Sequence, residues 1–203
     1  MFWVRQHLMT TGKAVRLLKQ MRKAFSKLPE SVFVEGKDYA INTDFRVWAE
    51  LLCFMESDAS YEEKILKLLC DGYTCELPPH LDTAIFALFD FMMLGKMGRG
   101  SRADADEKIM DFYEDEGLIY AAFLQQYAMD LYTVDLHWWS FMNLLKSLDE
   151  NTAIMKVISY RSVKCESIKN KELKKFYRKM KNRYRLLGNE DDRNIALALE
   201  SVM

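Results

Sequence analysis

Two cysteines and a histidine, Cys70, Cys75 and His80, form a Cys-x4-Cys-x4-His pattern. Thiolates and imidazoles are ligands that zinc prefers, so these residue types could hold a metal ion. A structural zinc site needs four ligands, and the fourth would have to come from a distant part of the chain. We therefore predict two small apolar thiols at a helix end and in a loop, with no metal site.

Four acidic residues lie close together: Asp111, Glu114, Asp115 and Glu116. Carboxylates at this helical spacing could bind a divalent cation or act as an acid and a base. No second predicted helix offers a matching Glu-x-x-His or Asp-x-Asp pattern. We therefore predict a solvated acidic face, and the alternative is a docking surface for a basic segment.

The sequence contains none of the common catalytic motifs. It has no glycine-rich phosphate loop, no nucleophile elbow and no His-Glu-x-x-His pair. His137 has no nucleophile or carboxylate at a spacing that would require a base, so it is more typical of a structural histidine. We predict that the protein is not an enzyme and uses no cofactor.

The stretch DLHWWSFMNLL, residues 135–145, places two tryptophans beside a histidine. Consecutive side chains on a helix point about 100° apart. Trp138 then shares a face with the apolar residues three, four and seven positions later, while Trp139 points away and His137 lies on the other flank. Either the helix is central and covered on two sides, or His137, Trp138 and Trp139 contact a partner, since tryptophan is enriched at interface hot spots.

A basic segment, Ile168–Leu187, holds nine Lys/Arg against one acid, Glu172. Its apolar residues recur at helical spacing: Leu173, Phe176, Tyr177, Met180, Tyr184 and Leu187. Basic residues cover the outer face: Lys174, Lys175, Arg178, Lys179 and Lys181. We take Lys174, Lys175, Arg178 and Lys179 as candidate partner-binding residues, and the partner is nucleic acid or an acidic protein surface.

Charge is distributed unevenly although the net charge is only −1. Residues 1–29 hold seven Lys/Arg and no acid, residues 30–160 hold ten against 24 acids, and residues 161–203 hold twelve against six. Basic ends that flank an acidic middle indicate charge matching within the chain or between copies. Self-association is therefore expected, and the overall pI near 6.3 argues against nucleic acid.

Other compositional features indicate the compartment and the kind of surface. The four cysteines have no framework spacing, which predicts reduced thiols in a cytosol. No apolar run is long enough to span a membrane, and the first residues do not form a secretory signal. The thirteen methionines fill gaps in a core or form surfaces that adapt to varied apolar partners.

The scarcity of chain breakers favours helices, since 203 residues include only eight glycines and three prolines. We predict a mainly α, helical bundle-like protein with a small N-terminal β-hairpin over residues 31–42 that turns at residues 35–38. The predicted helices span residues 44–55, 60–69, 80–94, 106–127, 135–148, 151–160, 168–187 and 190–202.

Four regions follow from these patterns. Residues 1–20 are a basic N-terminal extension, either a real helix or a poorly structured arm added by an upstream start. Residues 21–94 contain the hairpin and the first helices. Residues 95–106 hold three glycines and mixed charge, which predicts a flexible linker. Residues 107–203 form a helical C-terminal half.

Three stretches resemble the bacteriophage gene-product-fifteen family, over roughly residues 21–187. Residues 28–48, LPESVFVEGKDYAINTDFRVW, resemble its opening, and residues 119–148, with the LHWW block, resemble its central signature. SYRSV, residues 159–163, and the basic stretch from Lys171 to Lys181 are similar to its end. Residues 1–20 have no counterpart in that family, and the closing tail and the stretch around Cys70 and Cys75 are not features associated with it.

The resemblance implies a function in tail morphogenesis of long-tailed phages and prophages. Family genes typically precede the tape-measure gene, which implies a tail assembly chaperone that binds the tape-measure protein in the host cytoplasm. The alternatives are a structural component of the virion tail and a nucleic-acid-binding phage protein that uses the basic segment 168–187.

Overall fold

A computed structural model describes residues 27–95 and 108–187. These residues form seven α-helices and one antiparallel β-hairpin, which confirms the predicted mainly α class with a hairpin near the N-terminus. The predictions for the extension 1–20, for nearly all of the linker 95–106 and for the helix 190–202 lie outside the described residues. Among those described, no helix is long and apolar enough to cross a membrane.

The hairpin pairs strand β1, Ser31–Val34, with strand β2, Lys37–Ala40. Its register places Val32 opposite Tyr39. The predicted four-residue turn is wrong, because only Glu35 and Gly36 lie between the strands. Both have positive φ, 47° and 96°, which is the backbone of a tight two-residue turn whose twist matches that of the strands.

Three helices follow the hairpin: α1 at Phe45–Glu56, α2 at Tyr61–Gly72 and α3 at Leu81–Met92. Asp44 caps α1 by accepting a hydrogen bond from the Arg46 amide. Ser60 and Glu63 form the predicted capping box at the start of α2. These boundaries lie within about three residues of the predicted ones, because local cap chemistry determines where such helices begin.

The next helix, α4, covers only Glu116–Tyr127, so the prediction that it begins near residue 106 is wrong in its first turns. The Asp111 carboxylate accepts hydrogen bonds from the amides of Tyr113 and Glu114, at 2.7 and 2.9 Å. An aspartate that bonds the amides ahead of it offers the backbone an alternative to the helix. Residues 111–115 therefore form turns that lead into α4.

Helix α5, Trp138–Lys146, is shorter than predicted because His137 caps it instead of lying within it. Helix α6 covers Ala153–Ser162, a 3-10 turn follows at Cys165–Ser167, and helix α7 covers Lys171–Arg183. The start of α5 is joined to the start of α1 by two backbone hydrogen bonds. Phe45 N–H donates to Leu136, and Trp138 N–H donates to Thr43, at 3.1 and 2.7 Å.

One hydrophobic cluster includes residues from both the N-terminal and the C-terminal parts of the chain. Its largest fully buried side chains are Trp48, Trp138, Phe123 and Phe141. Trp48 comes from α1, Phe123 from α4, and the other two from α5. The segments on either side of the predicted linker therefore share a core.

A buried ion pair corrects the prediction of a solvated acidic face at Asp115, whereas Glu114 and Glu116 are exposed as predicted. Asp115 is about 1% exposed, and its carboxylate accepts hydrogen bonds from both terminal nitrogens of Arg161, at 2.6 and 3.0 Å. The same guanidinium donates to the Ile109 and Tyr184 carbonyls. The pair thus ties α6 to the start of α4 and to the end of α7.

We expect Arg161→Met to lower the free energy of unfolding by about 3–5 kcal/mol, because it leaves the Asp115 carboxylate buried without its counter-charge. The double variant Asp115→Asn/Arg161→Met should recover much of that loss, since the remaining amide is neutral and still accepts from the Asp111 N–H. Urea denaturation measures both changes. A loss below about 1 kcal/mol for Arg161→Met, as for a surface ion pair, contradicts this assignment.

A candidate partner-binding groove

Both tryptophans of the LHWW block lie in the core. Trp138 is fully buried and Trp139 is 5% exposed. The Trp138 indole N–H donates to the Met92 carbonyl at 2.9 Å, and the Trp139 indole N–H donates to the Phe91 carbonyl at 2.8 Å. The structure therefore favours the interpretation in which this helix is central and covered on two sides, over the one in which its tryptophans contact a partner. Trp138 and Trp139 are nearly or fully covered by the rest of the fold in this conformation.

His137 is a structural residue at the start of α5. Its Nδ1 accepts a hydrogen bond from the Trp139 amide at 3.0 Å, so the proton resides on Nε2. That Nε2–H donates to the Pro29 carbonyl at 3.0 Å. The imidazole thereby joins α5 to the chain just before the hairpin, and both of its nitrogens are occupied.

The four basic candidates on α7 fall into two pairs. Lys174 and Arg178 both contact the Glu166 carboxylate, at 2.8 and 2.9 Å. Lys175 and Lys179 are exposed and form no ion pair with any residue in the described ranges. Only the second pair is therefore available to a partner without breaking an existing contact.

The zinc pattern does not assemble into a site. Cys70 and Cys75 are exposed, and the His80 Nε2 lies 3.3 Å from a Glu35 carboxylate oxygen. Within residues 27–95 and 108–187, no group of three or more His, Cys, Asp or Glu side chains could hold a metal ion.

A groove that sequence reasoning missed lies between α1, the turns before α4, and the loop before α5. Its volume is about 290 Å³. Phe45, Ile119, Leu131 and Phe141 form its floor, and all four are buried. The Phe141 ring stacks on Phe45 with centroids 4.5 Å apart, so the helix that carries the tryptophans also supports the groove.

Two exposed tyrosines line the groove, Tyr113 at 67% and Tyr132 at 64% exposure. The Tyr132 hydroxyl donates to Glu116 at 3.1 Å, and its ring lies 4.9 Å from that of Tyr120. The hydrogen bond to the Glu116 carboxylate raises the pKa of Tyr132. Tyrosines combine an apolar ring with a hydroxyl and are enriched among residues that dominate binding energy.

Arg46 fixes the shape of the groove on one side. Its guanidinium bonds the Asp44 carboxylate and donates to the carbonyls of Leu131 and Val134, at 2.7 and 2.8 Å. It therefore holds the loop before α5 against α1. Because these donors are occupied, Arg46 positions the lining and is not a free cation for a ligand.

The thiol that lines the groove, Cys53, has a raised pKa, first because of burial and second because of the Asp111 charge nearby. It is therefore a protonated thiol at neutral pH, which packs as a small apolar group. The groove thus presents apolar and aromatic surface with a few polar groups at its edge. Such a surface suits an apolar side chain of another molecule.

Sequence reasoning missed the groove because its lining comes from four separate segments, within residues 45–53, 112–120 and 131–132 and at Phe141. Tyr113 and Tyr132 each follow an aspartate that bonds the amide two residues later, Asp111 and Asp130. Each aspartate thus places a large aromatic ring in a polar turn. The Asp-x-Tyr spacing is the local feature that could have indicated an exposed aromatic surface.

We expect the Glu166 carboxyl to titrate with a pKa of about 2, well below its ordinary value of 4.5, because Lys174 and Arg178 both bond it. A lowered pKa means that this contact supports the attachment of α7 above pH 4.5 and is lost as the pH falls through about 2. A carbon-13 NMR titration of the carboxyl measures the midpoint. A midpoint near 4.5 would contradict the two ion pairs. The attachment of α7 itself is measured by hydrogen exchange of its amides, and Glu166→Gln, which lacks the carboxyl, is the control for that measurement.

Comparison with known proteins gives one family match. No curated protein and no solved structure matches the chain. The model of the family described as Bacteriophage Gp15 protein matches residues 25–186, which include the hairpin and all seven described helices. With four fifths of its length matched, the chain belongs to the Bacteriophage Gp15 protein family.

Proposed function

We propose that this phage protein is a non-enzymatic tail assembly chaperone whose groove holds apolar side chains of the tape-measure protein. The observation that carries the proposal is the groove of about 290 Å³ with a buried apolar floor and the exposed Tyr113 and Tyr132. An apolar recess lined by aromatic side chains is the kind of surface on which amphipathic helices dock.

The size of the groove supports a protein partner. Its volume is at the lower end of the range for small-molecule sites, about 300–1,000 Å³. It accommodates one or two side chains from a segment that continues across the surface on either side. Tyr113 and Tyr132 would contact that segment, because tyrosine rings bury area with little loss of side-chain entropy.

The tape-measure protein is proposed as the partner from the gene order typical of the family. A tape measure is a long, helical, apolar chain that would aggregate before the tail tube encloses it. A chaperone of this kind acts in the host cytoplasm, binds exposed apolar residues and then leaves. Groove binding without covalent chemistry meets those requirements.

We expect the double variant Tyr113→Ala/Tyr132→Ala to weaken binding of the tape-measure protein by about tenfold or more, since interface tyrosines often contribute at least 1.4 kcal/mol. The chain is coexpressed with the tape-measure protein, and the soluble, copurifying fraction is measured. Titration of the purified partners then gives the dissociation constant. Both tyrosines are exposed, so the variant should keep the unfolding midpoint of the original chain.

Tyr61→Ala is the matched control, because Tyr61 is 73% exposed and does not line the groove. It should copurify as the unsubstituted chain does. A tape-measure protein that precipitates regardless of the chaperone contradicts the proposal, and so does equal binding by the groove variant. Detection of the chain in purified virions would favour a structural tail component instead. Salt-dependent binding of DNA or RNA would favour the nucleic-acid alternative.

A further inference from the structure

We propose that copies of this chain associate head to tail, with α7 of one copy packed on the exposed side of α3 of the next. The two surfaces lie on different helices, so the contact is heterologous. It does not rest on the proposed function, because neither helix lines the groove.

In the part of the chain that the structure describes, helix α3 has an apolar side that remains exposed. Ala84, Leu88 and Phe91 face the core, while Phe86 and Met93 are 58% and 52% exposed. Phe86 and the half-buried Phe89 lie three residues apart on one side of the helix, and Met93 follows at its C-terminal cap. Such a stripe on an outer face is typical of a helix–helix contact.

The charges of α3 are all negative. Its only charged residues are Asp82 and Asp90. Asp82 lies four residues before Phe86 and is therefore on the same side of the helix. The exposed surface of α3 thus combines a large apolar stripe with negative charge.

Helix α7 presents the complementary combination. It contains no buried residue, and Leu173 and Phe176 remain 47% and 46% exposed. The exposed Lys175 adjoins Phe176 in sequence, and the exposed Lys179 follows one turn later. Lys174 and Arg178 already bond Glu166, so Lys175 and Lys179 are the cations available to a partner. Lys179 lies three residues after Phe176 and therefore on the same side of the helix.

The two helices pack mainly on different elements within one copy, so we assign the contact to different copies. Helix α7 packs mainly on α6 and the 3-10 turn, whereas α3 packs mainly on α2 and β1. Opposite charge around two half-exposed apolar stripes favours association and fixes the orientation.

Both helices lie inside the family match, residues 25–186, whereas the basic residues 1–24 and the acidic residues 190–192 lie outside it. A heterologous contact repeats from copy to copy and builds rings or open arrays.

Charge reversal tests the contact in the full chain by sedimentation at low and high salt. Lys175→Glu/Lys179→Glu and, separately, Asp82→Lys should each weaken self-association about tenfold or more, since juxtaposed like charges cost several kcal/mol. A mixture of the two variants should associate again, because a reversed α7 meets a reversed α3. Lys146→Glu/Lys156→Glu and Asp135→Lys change equally exposed charges elsewhere and should leave association unchanged.

Carbodiimide cross-linking of mixed nitrogen-14 and nitrogen-15 chains identifies the occupant of each surface. The expected product joins Lys175 or Lys179 of one isotope to Asp82 of the other. Cross-links from Asp82 only to lysines 13–23 of the same chain, or from α7 only to acids 190–192, would show that a terminal segment covers the surface and overturn the proposal. A chain that stays monomeric at low salt, or variants that associate unchanged, would overturn it as well.

Discussion

Two indole hydrogen bonds at the start of α5 determine how the described parts of the chain meet. Trp138 and Trp139 are adjacent, so their rings diverge, and each donates its N–H to a carbonyl at the end of α3. The Phe91 carbonyl also accepts from the Leu94 amide at 2.9 Å, so the Trp139 indole is an additional donor to it. The Met92 carbonyl lies at the last residue of the helix, where carbonyls lack a helical donor, and the Trp138 indole supplies one. The two tryptophans thus bond the end of α3 and bury large apolar rings at the same time.

The other features depend on this junction. His137 caps α5 and bonds Pro29, which holds the hairpin end of the chain near the same point. Phe141, one turn along α5, stacks on Phe45 and forms part of the groove floor. The helix that carries the tryptophans therefore supports the groove floor, while the exposed tyrosines line its open side.

Local patterns in the sequence predicted the hairpin, the capping box and the approximate ends of α1, α2 and α3, because each depends on residues a few positions apart. Long-range partners could not be predicted in this way. Asp115 resembled one member of an acidic surface, but Arg161, 46 residues later, makes it a buried ion pair. The burial of Trp139 depends on α3, and the groove depends on four segments that one sequence does not show to be neighbours. The predicted helix 106–127 begins only at Glu116, because the Asp111 carboxylate bonds the amides of the residues that follow it.

Cutting the chain between its two parts tests most directly whether they share one core. A protease site is inserted into the segment 96–107, the folded protein is cleaved, and the fragments are passed over a gel-filtration column without denaturant. The shared cluster around Trp138 and Trp139 predicts that both fragments elute together and separate only in urea. Fragments that separate at once, each with native-like helical circular dichroism, would contradict a single core and place the division at the linker.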